Sequence, residues 1–148
     1  MTAVLANELR DATARSLEEL AFMMLEPLEP GALPVDEAVA LDVTGPVSGR
    51  FVLGLSSRLL PELAANMLGE DAPLPVEQQR DALRELANVI CGAFLPALAS
   101  ASASFRIAPG VACDFAAETR SAGSSATFVD GGVDGGRVAL IWSPGTRP

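Results

Sequence analysis

The chain has 148 residues, 49% of them hydrophobic and 20% charged. That length can bury about two-thirds of the unfolded surface, and the composition is too apolar for a disordered chain. The formal net charge is −9, and the ten basic residues are all arginines, scattered without a stripe, which disfavours nucleic-acid binding and a polybasic membrane contact. Histidine is absent, so Ser-His-Asp and Cys-His catalysis and His-ligated zinc are excluded.

In chain order, the first 26 residues read as a helix, with Leu5, Leu9, Ala12, Leu20 and Met23 or Met24 at helical spacing and Pro27 and Pro30 ending it. A proline-containing loop over 27–37 follows. Val39, Leu41 and Val43 alternate with polar or small residues, and Phe51, Leu53 and Leu55 resume the pattern after the turn Gly45–Gly49, which predicts a β-hairpin. Ser57 is placed to cap a helix that runs to Leu68 and stops at Gly69, with Leu59, Leu60, Leu63 and Met67 on its core side. A second long helix is predicted from about Glu77 to about Leu98. Its buried stripe is Leu83, Leu86, Ala87, Ile90, Phe94 and Ala97, with a kink at Pro96, which removes the hydrogen bond to the Gly92 carbonyl.

The remainder reads as strands. Phe105, Ile107, Val111 and Phe115 are interrupted at Pro109-Gly110, and Thr119–Ser125 is a loop of small residues. Ala126–Val129 and Arg137–Trp142 are strands joined by a glycine-rich loop, Asp130–Gly136, which suits a hairpin; as a phosphate cradle it lacks the Gly-Lys-Ser/Thr that would follow. Trp142 is expected in the core or in a dimer contact. The order predicts one α+β domain with a largely antiparallel sheet. Residues 1–6 and 143–148 are expected to fray.

Cys91 and Cys113 are too few for a cysteine-only zinc site. The first residues, with Glu8, Arg10 and Asp11 where an apolar stretch would sit, do not read as a signal peptide, so free thiols and a cytoplasmic protein are expected. Leu86–Phe105 is uncharged over twenty residues, but Asn88, Gly92, Pro96 and three serines make it too weakly apolar for a membrane span.

The informative stretch is Asp81-Ala-Leu-Arg-Glu85-Leu-Ala-Asn88-Val-Ile-Cys-Gly92. Asp81, Glu85, Asn88 and Gly92 are spaced by four, three and four, which puts them on one helix face, opposite the apolar stripe. An acid and an amide thus project together from a rigid helix, and Gly92 leaves room for another molecule beside Asn88. An ordinary solvated helix face would read the same way. A similar run, Leu60-Pro-Glu-Leu-Ala-Ala-Asn66, places Asn66 four residues from Glu62, not three, and reads as shared helix-forming composition.

These residues resemble the CheX branch of the CheC/CheX/FliY family of chemotaxis phosphatases. The family signature is an acidic or Ser residue, three residues, Glu, two residues, Asn, on a long exposed helix; Asp81, Glu85 and Asn88 match it. Gly49–Ser56 and the Met67-Leu-Gly-Glu70 ending of the preceding helix are also similar, with agreement in order over residues 10–100. The second motif copy that the CheC branch carries on its first helix is missing from Ser16–Met23, so one site at most is expected.

The resemblance implies a CheC-like α+β fold with two long helices packed on one face of the sheet. It also implies a phosphatase in two-component signalling, acting on the aspartyl phosphate of a phosphorylated CheY-type response regulator. Asn88 would orient the attacking water and Glu85 would pair with the regulator's active-site lysine. Asp81 and Gly92 would face the partner, although Asp81 could equally stay solvated. No cofactor of its own is implied, since the regulator brings its Mg²⁺. Pairing of two copies through sheet edges is implied by the same likeness. The rival reading is a non-catalytic, CheC- or FliM-like protein-binding module. Net charge gives no steering toward an acidic phosphorylated pocket, so recognition has to be local.

Overall fold

The computed structural model describes residues 2–71, 73–100 and 102–145. Helix α1 spans Thr2–Ala21, strands β1 and β2 span Glu37–Thr44 and Gly49–Leu55, and helices α2 and α3 span Leu60–Leu68 and Val76–Phe94. Two short strands, β3 (Arg106–Ile107) and β4 (Val111–Ala112), precede helix α4 (Phe115–Ser121) and the hairpin of β5 (Thr127–Val133) and β6 (Gly136–Pro144). The sheet runs β3–β1–β2–β6–β5, with β4 also on β1, and every pairing is antiparallel.

Alternation along the strands decides the layers. Val39, Leu41, Val43, Phe51, Leu53, Leu55, Val138, Leu140 and Trp142 share one buried cluster with α1, α2 and α3. The opposite face carries a smaller cluster of Ala38, Ala40, Val52 and Ile141, against which Phe115 of α4 packs. α1 and α3 are therefore the two long helices on one face, as expected, with the shorter α2 beside them. Trp142 lies in the core, edge-on to Phe94 with ring centroids 6.0 Å apart.

The structure departs from the sequence reading in several places. α1 ends at Ala21 rather than near residue 26. Phe22 turns out of the helix at φ 54°, and Glu26 pairs with Gly132 of β5 through both backbone hydrogen bonds. A stretch of helix-compatible sequence is thus recruited by a sheet edge. Ser57 does not cap α2. Its backbone N–H and hydroxyl both donate to Asp36, at 2.6 and 2.8 Å, and 57–59 form a single 3₁₀ turn leading into α2. These two bonds hold the Asp36 carboxyl below the usual carboxylate range. α2 does stop at Gly69, which takes the left-handed conformation at φ 68°.

At Pro96 the α-helix gives way to a 3₁₀ turn over Leu95–Ala97, which leaves Ala97 exposed rather than on the buried stripe. The expected loop at 119–125 is partly helix. Asp114 caps α4 by accepting from the Ala116 N–H at 3.0 Å, and Phe115 belongs to that helix, not to a strand. A fork from Arg50 to both oxygens of Glu118, at 2.8 and 3.0 Å, ties α4 to β2. Most of the glycine-rich stretch is strand. Only Asp134-Gly135 forms the turn, both at positive φ (48° and 81°), which makes a two-residue type I′ hairpin. Helix from Thr2 and strand to Pro144 occupy much of the ends where fraying was expected; Met1 and 146–148 lie outside the described residues.

Candidate functional site

α3 buries Leu83, Leu86, Ala87, Ile90, Cys91 and Phe94 against the sheet and the other two helices. Each of the large apolar side chains among them contributes about 1.5–3 kcal/mol by leaving water, so the helix is held firmly along its whole buried stripe. The opposite face is turned outward, and Asp81, Glu85, Asn88 and Gly92 are all exposed on it. The structure therefore brings the four residues singled out in the sequence onto one accessible face of one rigid helix, each a turn from the next.

Their surroundings differ. Asp81 pairs with Arg84 at 2.8 Å, a solvent-exposed bridge worth little in stability but enough to orient the carboxylate along the helix. Among the described residues neither the Glu85 nor the Asn88 side chain is engaged in an internal hydrogen bond or ion pair, so both keep their side-chain polar atoms for another molecule. A Cβ added at Gly92 would meet nothing within 4 Å, so the surface beside Asn88 is open. Among the described residues, no group of three or more His, Cys, Asp or Glu is placed to hold a metal ion.

Sequence reasoning did not anticipate the neighbour of this face. An open groove of about 450 Å³ lies beside α3, floored by Leu20, Met67, Leu68 and Ala82, with Asp81 and Glu85 forming its wall. Leu20 and Met67 read as core positions because helical spacing assigns them inward; only the meeting of the C-terminal turns of α1 and α2 leaves them at a surface. The one signal available was Leu68, an apolar residue directly before the helix-ending Gly69, which is 54% exposed.

Cys91 and Cys113 are not joined in a disulfide. Cys91 is buried on the inner face of α3, and burial pushes its thiol up to about 12; Cys113 is half-buried beside α4. No helix among the described residues is long and apolar enough to cross a membrane.

Comparison with known proteins points the same way. Residues 38–129 match the family model described as chemotaxis phosphatase CheX, a span that contains the whole of α3. Among curated proteins there is no significant match. Chemotaxis protein CheX from Vibrio vulnificus superposes with a TM-score of 0.74 at 19% identity, over 98% of this chain and 99% of that one. CheX from Desulfovibrio desulfuricans gives 0.71 at 17% identity, over 95% and 99%. The CheX of a CheX–CheY–BeF₃–Mg²⁺ complex from Borrelia burgdorferi gives 0.70 at 19% identity, over 95% and 97%. At these identities the superpositions establish a shared fold.

Proposed function

The chain belongs to the CheX family of chemotaxis phosphatases, and from that premise we propose that it accelerates hydrolysis of the aspartyl phosphate of a CheY-type response regulator, with Glu85 and Asn88 as the working pair. The observation that carries this reading is the unengaged Glu85–Asn88 pair, exposed one turn apart on a helix whose other face is locked in the core. The CheX–CheY complex of the Borrelia relative supports the choice of partner.

The chemistry asks little of the phosphatase. An acyl phosphate is already activated, and Mg²⁺ and a lysine supplied by the regulator neutralise the phosphoryl oxygens. What remains is to place a water in line with phosphorus. The Asn88 carboxamide is neutral, so it can accept from and donate to that water without repelling the phosphoryl group. The water oxygen forms the new bond to phosphorus and the phosphorus–aspartyl oxygen bond breaks. The aspartate carboxylate leaves with the electron pair, and a water proton passes to solvent or to the released phosphate. Glu85 forms a charge-assisted bond to the regulator's lysine and fixes the helix over the site. Asp81, oriented by Arg84, borders the partner, and Gly92 admits the partner's surface close to Asn88. No cofactor beyond the regulator's own Mg²⁺ enters this scheme.

A cytoplasmic location goes with this partner class. Pairing of two copies through sheet edges belongs to the same proposal; β5 is the terminal strand of the sheet and offers Thr127–Asp130 for it. Sedimentation velocity tests the pairing. The catalytic reading is tested by phosphate loss from a phosphorylated CheY-type regulator with wild type, Glu85→Ala and Asn88→Ala. Acceleration by wild type that collapses in Asn88→Ala supports it. Regulator binding by wild type without acceleration would instead favour a non-catalytic binding module.

A further inference from the structure

We propose that the groove between the C-terminal turns of α1 and α2 and the first half of α3 seats the apolar segment of the response regulator that flanks its active-site lysine. This deepens the proposed function and rests on its assignment of Glu85 to that lysine. Groove and site are continuous. Glu85 is itself a wall residue of the groove, so a partner whose lysine reaches Glu85 has the residues beside that lysine over the groove floor. The floor is apolar, built from Leu20, Met67, Leu68 and Ala82, and Leu68 remains 54% exposed. Single exposed apolar residues are ordinary; several gathered around one concave surface mark an interaction site.

Charge complements shape. Of the two acids on the α3 wall, Asp81 is paired with Arg84 and Glu85 is open, so the surface matches a segment that is apolar with a cation at one end. It also answers how an acidic chain recognises an acidic partner, since net charge supplies no attraction and the affinity has to come from local burial. Asn88 does not line the groove, which assigns the groove to binding and not to the chemical step.

Two variants probe the groove without touching the catalytic pair. Leu68→Asp places a charge on the floor at an exposed position, and Gln78→Trp fills the groove from the α3 wall, one turn before Asp81, where Gln78 is exposed. Binding of a beryllofluoride-loaded CheY-type regulator from the same genome is measured by titration, alongside phosphate loss from the phosphorylated form. Kd and KM are expected to rise at least tenfold in both variants, with kcat within about twofold of wild type and unchanged thermal melting. Leu68→Met is expected to restore both constants. Unchanged Kd in both folded variants overturns the groove, while loss of activity in Asn88→Ala in the same assay would leave the catalytic reading standing. Groove variants that weaken binding while Asn88→Ala stays active would support the groove and overturn the catalytic reading. If the variants alter self-association and not regulator binding, the groove is a contact between copies of this chain and the proposal falls. If wild type binds no such regulator, both readings fall.

Discussion

α2 and α3 carry nearly the same residues and put them to different uses. Glu62-Leu-Ala-Ala-Asn66 separates acid and amide by four residues; Glu85-Leu-Ala-Asn88 separates them by three. One residue on a helix is a rotation of about 100°. On α2, Asn66 falls on the side that meets α1, where its amide donates to the Ala21 carbonyl at 2.8 Å and satisfies a carbonyl at the helix end. On α3 the shorter spacing keeps Asn88 on the outer face beside Glu85, with no internal partner among the described residues. An asparagine already bonded to the backbone belongs to the fold, and one left open on a rigid helix is available for chemistry.

Removing each amide in turn puts this contrast under the greatest strain. Asn88→Ala is expected to lower kcat for phosphate loss by about a hundredfold or more, the scale on which a lost positioning group acts, with no change in thermal melting. Glu85→Gln keeps shape and removes charge. About tenfold in KM is expected, in line with the roughly 1.5 kcal/mol at the lower end for a charge-assisted hydrogen bond. Asn66→Ala should do the reverse of Asn88→Ala, costing about 1 kcal/mol of stability in a denaturant titration and leaving kcat in place. Gly92→Ala separates folding from function from the other side. The added methyl meets nothing and improves helix propensity, so stability should rise by about 0.5–1 kcal/mol while KM worsens, because the partner loses its close approach.

The smallest effect at neutral pH concerns the two thiols. Cys91 is raised to about 12 in the folded state by burial, above the roughly 8.5 of a free thiol. The unfolded chain therefore loses this proton first. The thiol's contribution to stability is fully present below about pH 8.5 and fades as pH climbs toward 12, so melting should drop over that window and less so in Cys91→Ala. In the native protein, alkylation should label Cys113 well before Cys91.

Much of this organisation was legible in the sequence because local pattern and tertiary demand agree. The β1–β2 hairpin, the stop at Gly69 and the buried stripe of α3 follow from period and turn chemistry alone, and the exposure of Asp81, Glu85, Asn88 and Gly92 follows from that stripe. The misreadings share one cause, a distant partner outcompeting a local preference. Glu26 leaves a helix-forming stretch to pair with Gly132, and Asp36 captures the Ser57 groups that would have capped α2. The run Asp130–Gly136 contains two Asp-Gly pairs, each able to turn. The second is used because Val133 then stays in the strand and is buried. α4 was hidden in a stretch of small residues, since its stability comes from Phe115 on the sheet and from the Arg50–Glu118 fork rather than from an apolar stripe. The groove was invisible for a further reason: it exists only where three helix segments meet.

Whether a single residue of spacing separates a structural asparagine from a catalytic one comes down to one assay. Phosphate loss from a phosphorylated CheY-type response regulator is followed with wild type, Asn66→Ala and Asn88→Ala at a temperature where all three are folded. Wild type and Asn66→Ala should accelerate it alike, and Asn88→Ala should leave the regulator's own rate. Acceleration that survives in Asn88→Ala would contradict the assignment.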